Sequence, residues 1–229
     1  MLAGSEIQQL LNLELPPIAV SFRPEPPPGM HRTPAAAPAG CAYWLAAARG
    51  GAFYTQGEDH YNCPIGAHTH GVAMPPERQG DLGEMVAGMV GIGYLDPAEV
   101  PLIPARQEPF GVAVYAPLEQ AQEAPDVVLV RGRPAQIMLL VEAAAAAGIA
   151  GDGGTPLMAR PTCAAIPAVL RSGRAAASLG CIGNRVYTSL EDDEFYLALP
   201  GARVETVAEK LATIVRANEE LERFHRARL

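Results

Sequence analysis

Two passages of this chain read alike around pairs of cysteines, and that repetition constrains the fold more than any other feature. The first runs C-A-Y-W-L-A-A-A-R-G-G from Cys41 and reaches a second cysteine, Cys63, in C-P-I-G. The second runs C-A-A-I-P-A-V-L-R-S-G from Cys163 and reaches Cys181 in C-I-G. Cys41 aligns with Cys163, Ala42 with Ala164, Ala46 with Ala168, Arg49 with Arg171 and Gly51 with Gly173. Cys63 aligns with Cys181, and Ile65-Gly66 with Ile182-Gly183. The cysteines are 22 residues apart in one copy and 18 in the other. An alanine-rich chain produces chance likenesses, but here two cysteines, an arginine and two glycines agree in order. The expected fold is α+β, with two similar α/β halves from an internal duplication packed as one compact unit. The halves are expected at residues 1–105 and 106–229. A pseudo-two-fold axis between them brings equivalent loops together, so the four cysteines can converge.

The periodicity of the remaining sequence fits such units. Ile7, Leu10, Leu11 and Leu13 predict a short helix over 5–13, and P-I-A-V-S-F predicts a strand over 17–22 before the proline-rich R-P-E-P-P-P-G. The first cysteine passage predicts a helix that stops at Gly50-Gly51, followed by a strand at 52–55. Residues 56–71 read as a long polar loop, and 80–91 as a glycine- and methionine-rich helix with Met85 and Met89 in the core. Strands are expected at 109–118, 126–132 and 194–201. Pro134 and Gly148 bracket a helix, G-D-G-G-T-P reads as a turn, and Thr162 as the N-cap of a short helix. The clearest helix covers 203–224, with Val204, Val207, Leu211, Ile214, Val215, Leu221 and Phe224 on one face.

Composition removes several functions. At 49% hydrophobic residues the 229-residue chain can bury a sizeable core, and its formal charge of −8 argues against tracking a phosphate backbone or an anionic membrane. No nucleic-acid partner and no membrane segment are expected, and no run approaches the length of a spanning helix. The N-terminus lacks the basic start of a secretory signal, so a cytoplasmic location is expected. A single lysine, Lys210, stands against sixteen arginines; there is no Gly-Lys-Ser/Thr step for a phosphate loop, and Lys210 lies in a charged helix. G-x-S-x-G, H-E-x-x-H and G-x-G-x-x-G are absent too.

What remains is cysteine chemistry. An inert core thiol is the ordinary condition of any one cysteine. The contexts here differ from that. Cys41 and Cys163 begin helices, whose dipole lowers a thiol's pKa. Cys63 and Cys181 precede turns in which Gly66 and Gly183 let backbone N–H groups approach a bound group. Four thiolates suit an iron–sulfur cluster, with tetrahedral zinc as the alternative. Arg49 and Arg171 are placed to balance thiolate charge. His60, His68 and His70 flank Cys63 and offer a local metal site; on an extended segment the His-x-His pair shares one side. Without a second close ligand pair, a solvated loop is the plainer reading of these histidines. Arg185 and Tyr187, two apart, share a face on an extended segment and suit an anionic ligand. The acidic run 191–194 and the Glu58-Asp59 pair read as solvated turns.

P-F-G-V-A-V-Y-A-P-L, P-D-V-V-L-V-R-G-R-P-A-Q-I-M-L-L, R-P-T-C-A-A-I-P and L-G-C-I-G-N-R-V-Y-T-S-L, together with C-A-Y-W and N-C-P-I-G, resemble the DUF 169 family of archaeal and bacterial proteins over essentially the whole chain. That resemblance implies no settled activity. The expectation from the residues is a cysteine-ligated cofactor protein, with iron–sulfur or other metal binding and a redox partner. A non-catalytic small-molecule-binding protein with structural cysteines is the alternative, and an enzyme using one thiolate with His60 or His68 as its base is a third.

Overall fold

A computed structural model describes residues 2–151 and 154–229. The turn expected at G-D-G-G-T-P therefore lies partly outside the described residues. In chain order the elements are α1 (Leu2–Leu11), β1 (Ile18–Arg23), α2 (Ala42–Gly50), β2 (Phe53–Thr55), α3 (Pro64–His70), α4 (Asp81–Gly91), β3 (Val112–Pro117) and β4 (Val127–Gly132). They continue with α5 (Pro134–Ala146), β5 (Leu157–Met158), α6 (Ala165–Ser172), β6 (Ala176–Ser178), α7 (Ile182–Thr188), β7 (Phe195–Pro200) and α8 (Val204–Arg226). Most expected elements form within a few residues of their sequence boundaries. The polar stretch 56–71, expected as loop, instead carries a 3-10 turn at Gly57–His60 and α3. The passage after β6, expected as a turn, carries α7.

The strands form one mixed sheet of seven, in the order β2-β3-β1-β4-β7-β6-β5. Every adjacent pair is antiparallel except β5 with β6. Its central strand is β4, which pairs with β1 through Ile18 opposite Leu129 and Val20 opposite Val127. Residues 1–105 and 106–229 both contribute strands to this one sheet.

Alternation along the strands supplies two cores, because successive side chains point to opposite faces. Ala19, Val128, Val130, Leu197 and Leu199 face one side and bury Ile7 of α1, Leu140 of α5 and Val207 and Leu211 of α8. Ile18, Val20, Val127, Leu129 and Ala198 face the other, under Trp44 of α2 and Ile166 and Val169 of α6. The two layers of helices over one sheet leave β4 and β7 apolar on both faces.

The long C-terminal helix follows its expected face only at the start. Val204, Val207 and Leu211 are buried, and Ile214 and Val215 pack at the margin. Leu221 and Phe224 are 53% and 55% exposed, because the helix runs on beyond the sheet. Leu211→Ala empties a fully enclosed position, and chemical denaturation should show a loss of about 2–5 kcal/mol. Leu221→Ala, at a solvated position on the same stripe, should cost under about 0.5 kcal/mol.

Candidate functional site

Each cysteine is placed by the start of a helix. Cys41 occupies the N-cap position of α2. The hydroxyl of Tyr43, one residue into that helix, accepts from Ala37 N–H at 2.8 Å and donates to Asp59 C=O at 2.7 Å. It thereby ties the loop before α2 to the turn before Cys63. Cys63 caps α3, accepting a hydrogen bond from Gly66 N–H at 3.4 Å. A Cβ on Gly66 would stand 3.3 Å from that sulfur, so the glycine keeps the thiol's position open. Pro64 at the first helical position presets the turn.

Cys163 lies in the 3-10 turn Thr162–Ala164 that leads into α6. Thr162, expected from sequence to be the N-cap of this helix, does not cap it. Its hydroxyl accepts Cys181 N–H at 2.6 Å and so ties the two second-half cysteines together. Cys181 is the N-cap residue of α7. Before it, Gly180 has φ +83, and a Cβ there would sit 2.5 Å from the Leu190 side chain, so only glycine turns the chain into α7 at this point.

These four helix starts meet. Cys41, Cys63, Cys163 and Cys181 all line one cavity of about 260 Å³, together with Gly66 and Gly183. The thiols are near enough for charge on one to disfavour charge on the others. Cys41 senses Cys181 and Cys63; Cys63 senses Cys181; Cys163 senses all three. All four are free thiols. Ile65, Leu95, Ile103 and Ile182 make the walls apolar, and Arg160 is the only charged residue among the described lining residues. Its guanidinium lies 4.4 Å from the Tyr94 ring centroid and 3.1 Å from Glu99. Among the described residues, no group of three or more His, Cys, Asp or Glu side chains is arranged to hold a single metal ion.

Electrostatics here run opposite to the expectation from helix dipoles. Burial pushes the Cys41 thiol up to about 12 and raises Cys63 and Cys163 as well. Desolvation of a thiolate in an apolar cavity outweighs the pull of a helix end. Two side chains oppose it from across the molecule. Thr69 of α3 has its hydroxyl 3.0 Å from Cys163 Sγ, and Asn184 of α7 faces Cys41. Among the described residues, neither atom of the buried Asn184 carboxamide has a hydrogen-bond partner.

Other expected site residues part company. His68 and His70 stand on α3 rather than on an extended segment, where a separation of two turns them to different sides. His68 is exposed, whereas His70 is buried 6.0 Å from the ring of buried His60. Neither buried ring lines the cavity. Arg185 and Tyr187 likewise stand on α7 and do not share a face. Tyr187 lines the cavity. Arg185 turns away and donates to Glu191 C=O at 2.7 Å and Leu179 C=O at 2.6 Å, so it shapes the turn after α7 rather than greeting an anion. Arg49 and Arg171 are exposed in the last turns of their helices and do not reach the thiols. Met85 and Met89 are not core; α4 has no buried residue, and both methionines line the cavity from its outer side. Two carboxylates expected in solvated turns are instead buried structural partners. Glu194 pairs with Arg131, and Asp59 with Arg32.

His60 and His70 are held neutral by burial, with pKa values lowered to about 4 and about 3. Both lie below the ordinary histidine value, so the unfolded chain binds protons that the native one refuses. Stability is therefore fully present above about pH 6.5 and is lost as pH falls toward 4 and then 3, at up to about 1.4 kcal/mol per pH unit for each histidine. Urea unfolding from pH 7 to pH 4 should show this slope, and His70→Phe should reduce it.

A family model matches residues 6–210; its description is DUF169, uncharacterised ArCR. The chain belongs to the DUF169 family. All four cysteines of this DUF169 protein lie within the matched span. It is also 27% identical over 161 residues to an uncharacterised protein of Methanocaldococcus jannaschii, covering 67% of each chain. No solved structure matches. Among the described residues, no helix is long and apolar enough to cross a membrane.

Thr69, Asn184 and Arg160 escaped the sequence reading. Pro64 at a helix start and Gly71 at its end were signals for α3, and hence for Thr69 pointing inward. Asn184 and Arg160 carry no comparable signal, since their placement depends on the opposite half of the chain.

Proposed function

We propose that this DUF169 protein is a cysteine-ligated cofactor protein. Cys41, Cys63, Cys163 and Cys181 would hold an iron–sulfur cluster in a redox or electron-transfer role. The supporting observation is the convergence of four thiols on one apolar cavity, each within electrostatic reach of the other three. Four thiolates are the usual complement of such a cluster, and its potential responds to burial and to hydrogen bonds at sulfur. Thiols that resist ionisation make poor free nucleophiles, whereas a coordinating metal deprotonates them outright. The raised pKa values therefore favour ligation over an activated-thiolate enzyme. Zinc is the alternative occupant. Tetrahedral bonds of about 2.3 Å would require sulfurs about 3.8 Å apart. A cluster spreads its ligands more widely than a single ion does.

The same proposal includes the internal duplication. From the β1–β4 pair outward, one wing runs β1-β3-β2 and the other β4-β7-β6-β5, one strand longer. α2 and α6 carry the first cysteine of each pair near their starts, and α3 and α7 follow the second. The repeat boundary then falls after β3 rather than near residue 105. In this reading Gly66 and Gly183 admit the cofactor close to backbone, and free thiols suit a reducing compartment such as the cytoplasm.

One observation favours a second reading, a non-catalytic small-molecule-binding protein: the walls beyond the thiols are apolar and include Tyr187. Iron and acid-labile sulfide analysis of protein purified and reconstituted without oxygen separates the two. Both should be present in proportion to chain. Absence of both, from protein of undiminished stability, supports the second reading and overturns the first.

A further inference from the structure

Two polar side chains, Thr69 buried behind the cysteine cavity and Asn184 in its wall, each come from the half of the molecule opposite to the thiol they approach. Thr69 on α3 reaches Cys163, and Asn184 on α7 faces Cys41. We propose that Thr69, hydrogen-bonded to Cys163 Sγ, and Asn184, whose buried carboxamide lines the thiol cavity, are positioning residues that donate to ligating sulfurs and so set the reduction potential of the site. This rests on the iron–sulfur reading above and deepens it.

Thr69 is fully buried, and its hydroxyl stands 3.0 Å from Cys163 Sγ and 3.0 Å from Gly66 C=O. One hydroxyl has one proton for these two acceptors. Beside a neutral thiol, the S–H donates to Thr69 Oγ1 and the hydroxyl proton goes to Gly66. A ligating thiolate has no proton to give, so the hydroxyl turns and donates to sulfur. The bond is then charge-assisted and stronger.

Asn184 is 1% exposed, lines the cavity, and among the described residues has no partner for either carboxamide atom. An unpaired buried amide is costly, and such a group calls for a physical role. Its NH2 has two protons to give, and the four cysteines line the same cavity. A thiolate on Cys41 would satisfy it, as Thr69 satisfies Cys163.

The sign follows from charge. Reduction adds one electron, supplied by an electrode, to a site already rich in negative charge. No bond is made or broken in the protein. Donors at the sulfurs stabilise the reduced state more than the oxidised state and so raise the potential.

The test is a mediated redox titration of anaerobically reconstituted protein and its T69V, T69S and N184L variants, with iron and sulfide measured in each. T69V and N184L should both shift to more negative potentials at unchanged iron and sulfide content. T69S, which keeps the hydroxyl, should stay with the wild type. Loaded T69V and N184L proteins at the wild-type potential overturn the proposal. A T69S shift as large as that of T69V also overturns it, since the methyl group rather than the hydroxyl would then matter. If T69V fails to fold, T69S against N184L still decides. A wild-type protein that takes up no cluster overturns the iron–sulfur reading itself, and is distinguishable from a loaded site whose potential does not move.

Discussion

Cys163→Ser is expected to empty the site. Of the four thiols Cys163 senses every other, lies at the start of α6, and has Thr69 at 3.0 Å. Serine offers a hydroxyl that ionises far less readily than a thiol and binds soft metals poorly. Outer-shell partners of metal ligands are typically worth about 10–100-fold in affinity, so loss of a ligand should exceed about 100-fold. Iron and sulfide per chain should fall to background after reconstitution, and each of the other three cysteines should give the same result. Four single variants that all load normally would contradict joint ligation.

Arg131→Met should give the largest loss of stability among polar substitutions. The guanidinium is 12% exposed, and the Glu194 carboxylate that it meets is 7% exposed. Arg131 also donates to Thr188 C=O at 3.0 Å and Ser189 C=O at 2.7 Å, which pins the end of α7 to β4. Glu194 in turn accepts from Glu191 N–H at 3.0 Å and closes the turn into β7. Removing only the arginine strands a buried carboxylate, at a cost of about 3–5 kcal/mol in urea unfolding. A second change, Glu194→Leu, should recover most of that loss by removing the stranded charge. A single variant that loses less than about 1 kcal/mol would contradict this account. Because α7 begins at Cys181, the single variant should also load less iron.

The sequence makes some of this site legible and hides the rest for physical reasons. The cysteine repeat pointed to convergence, because its order of chemistry-bearing residues does not depend on knowing the packing. Apolar runs such as V-V-L-V in β4 located strands, since burial on both faces leaves a continuous apolar segment. The side of a short polar helix was harder to read. P-I-G-A-H-T-H and I-G-N-R-V-Y-T each form a single pair of turns whose apolar content is too small for a period to show. Reading them as extended put His68 with His70 and Arg185 with Tyr187, and a helix separates both pairs. The thiol pKa values were misjudged because sequence shows that a cysteine starts a helix but not how deeply it is buried. The exposed end of α8 was missed for the converse reason. Leu221 and Phe224 continue the apolar stripe of Val207 and Leu211, but the sheet beneath them ends.

The central claim is that all four sulfurs converge on one cofactor. Iron-edge X-ray absorption of the anaerobically reconstituted protein tests it most directly. The account predicts a first shell of sulfur alone, at about 2.3 Å as in other metal–thiolate bonds, with iron–iron scattering beyond it. A first shell of nitrogen or oxygen without iron–iron scattering would contradict it.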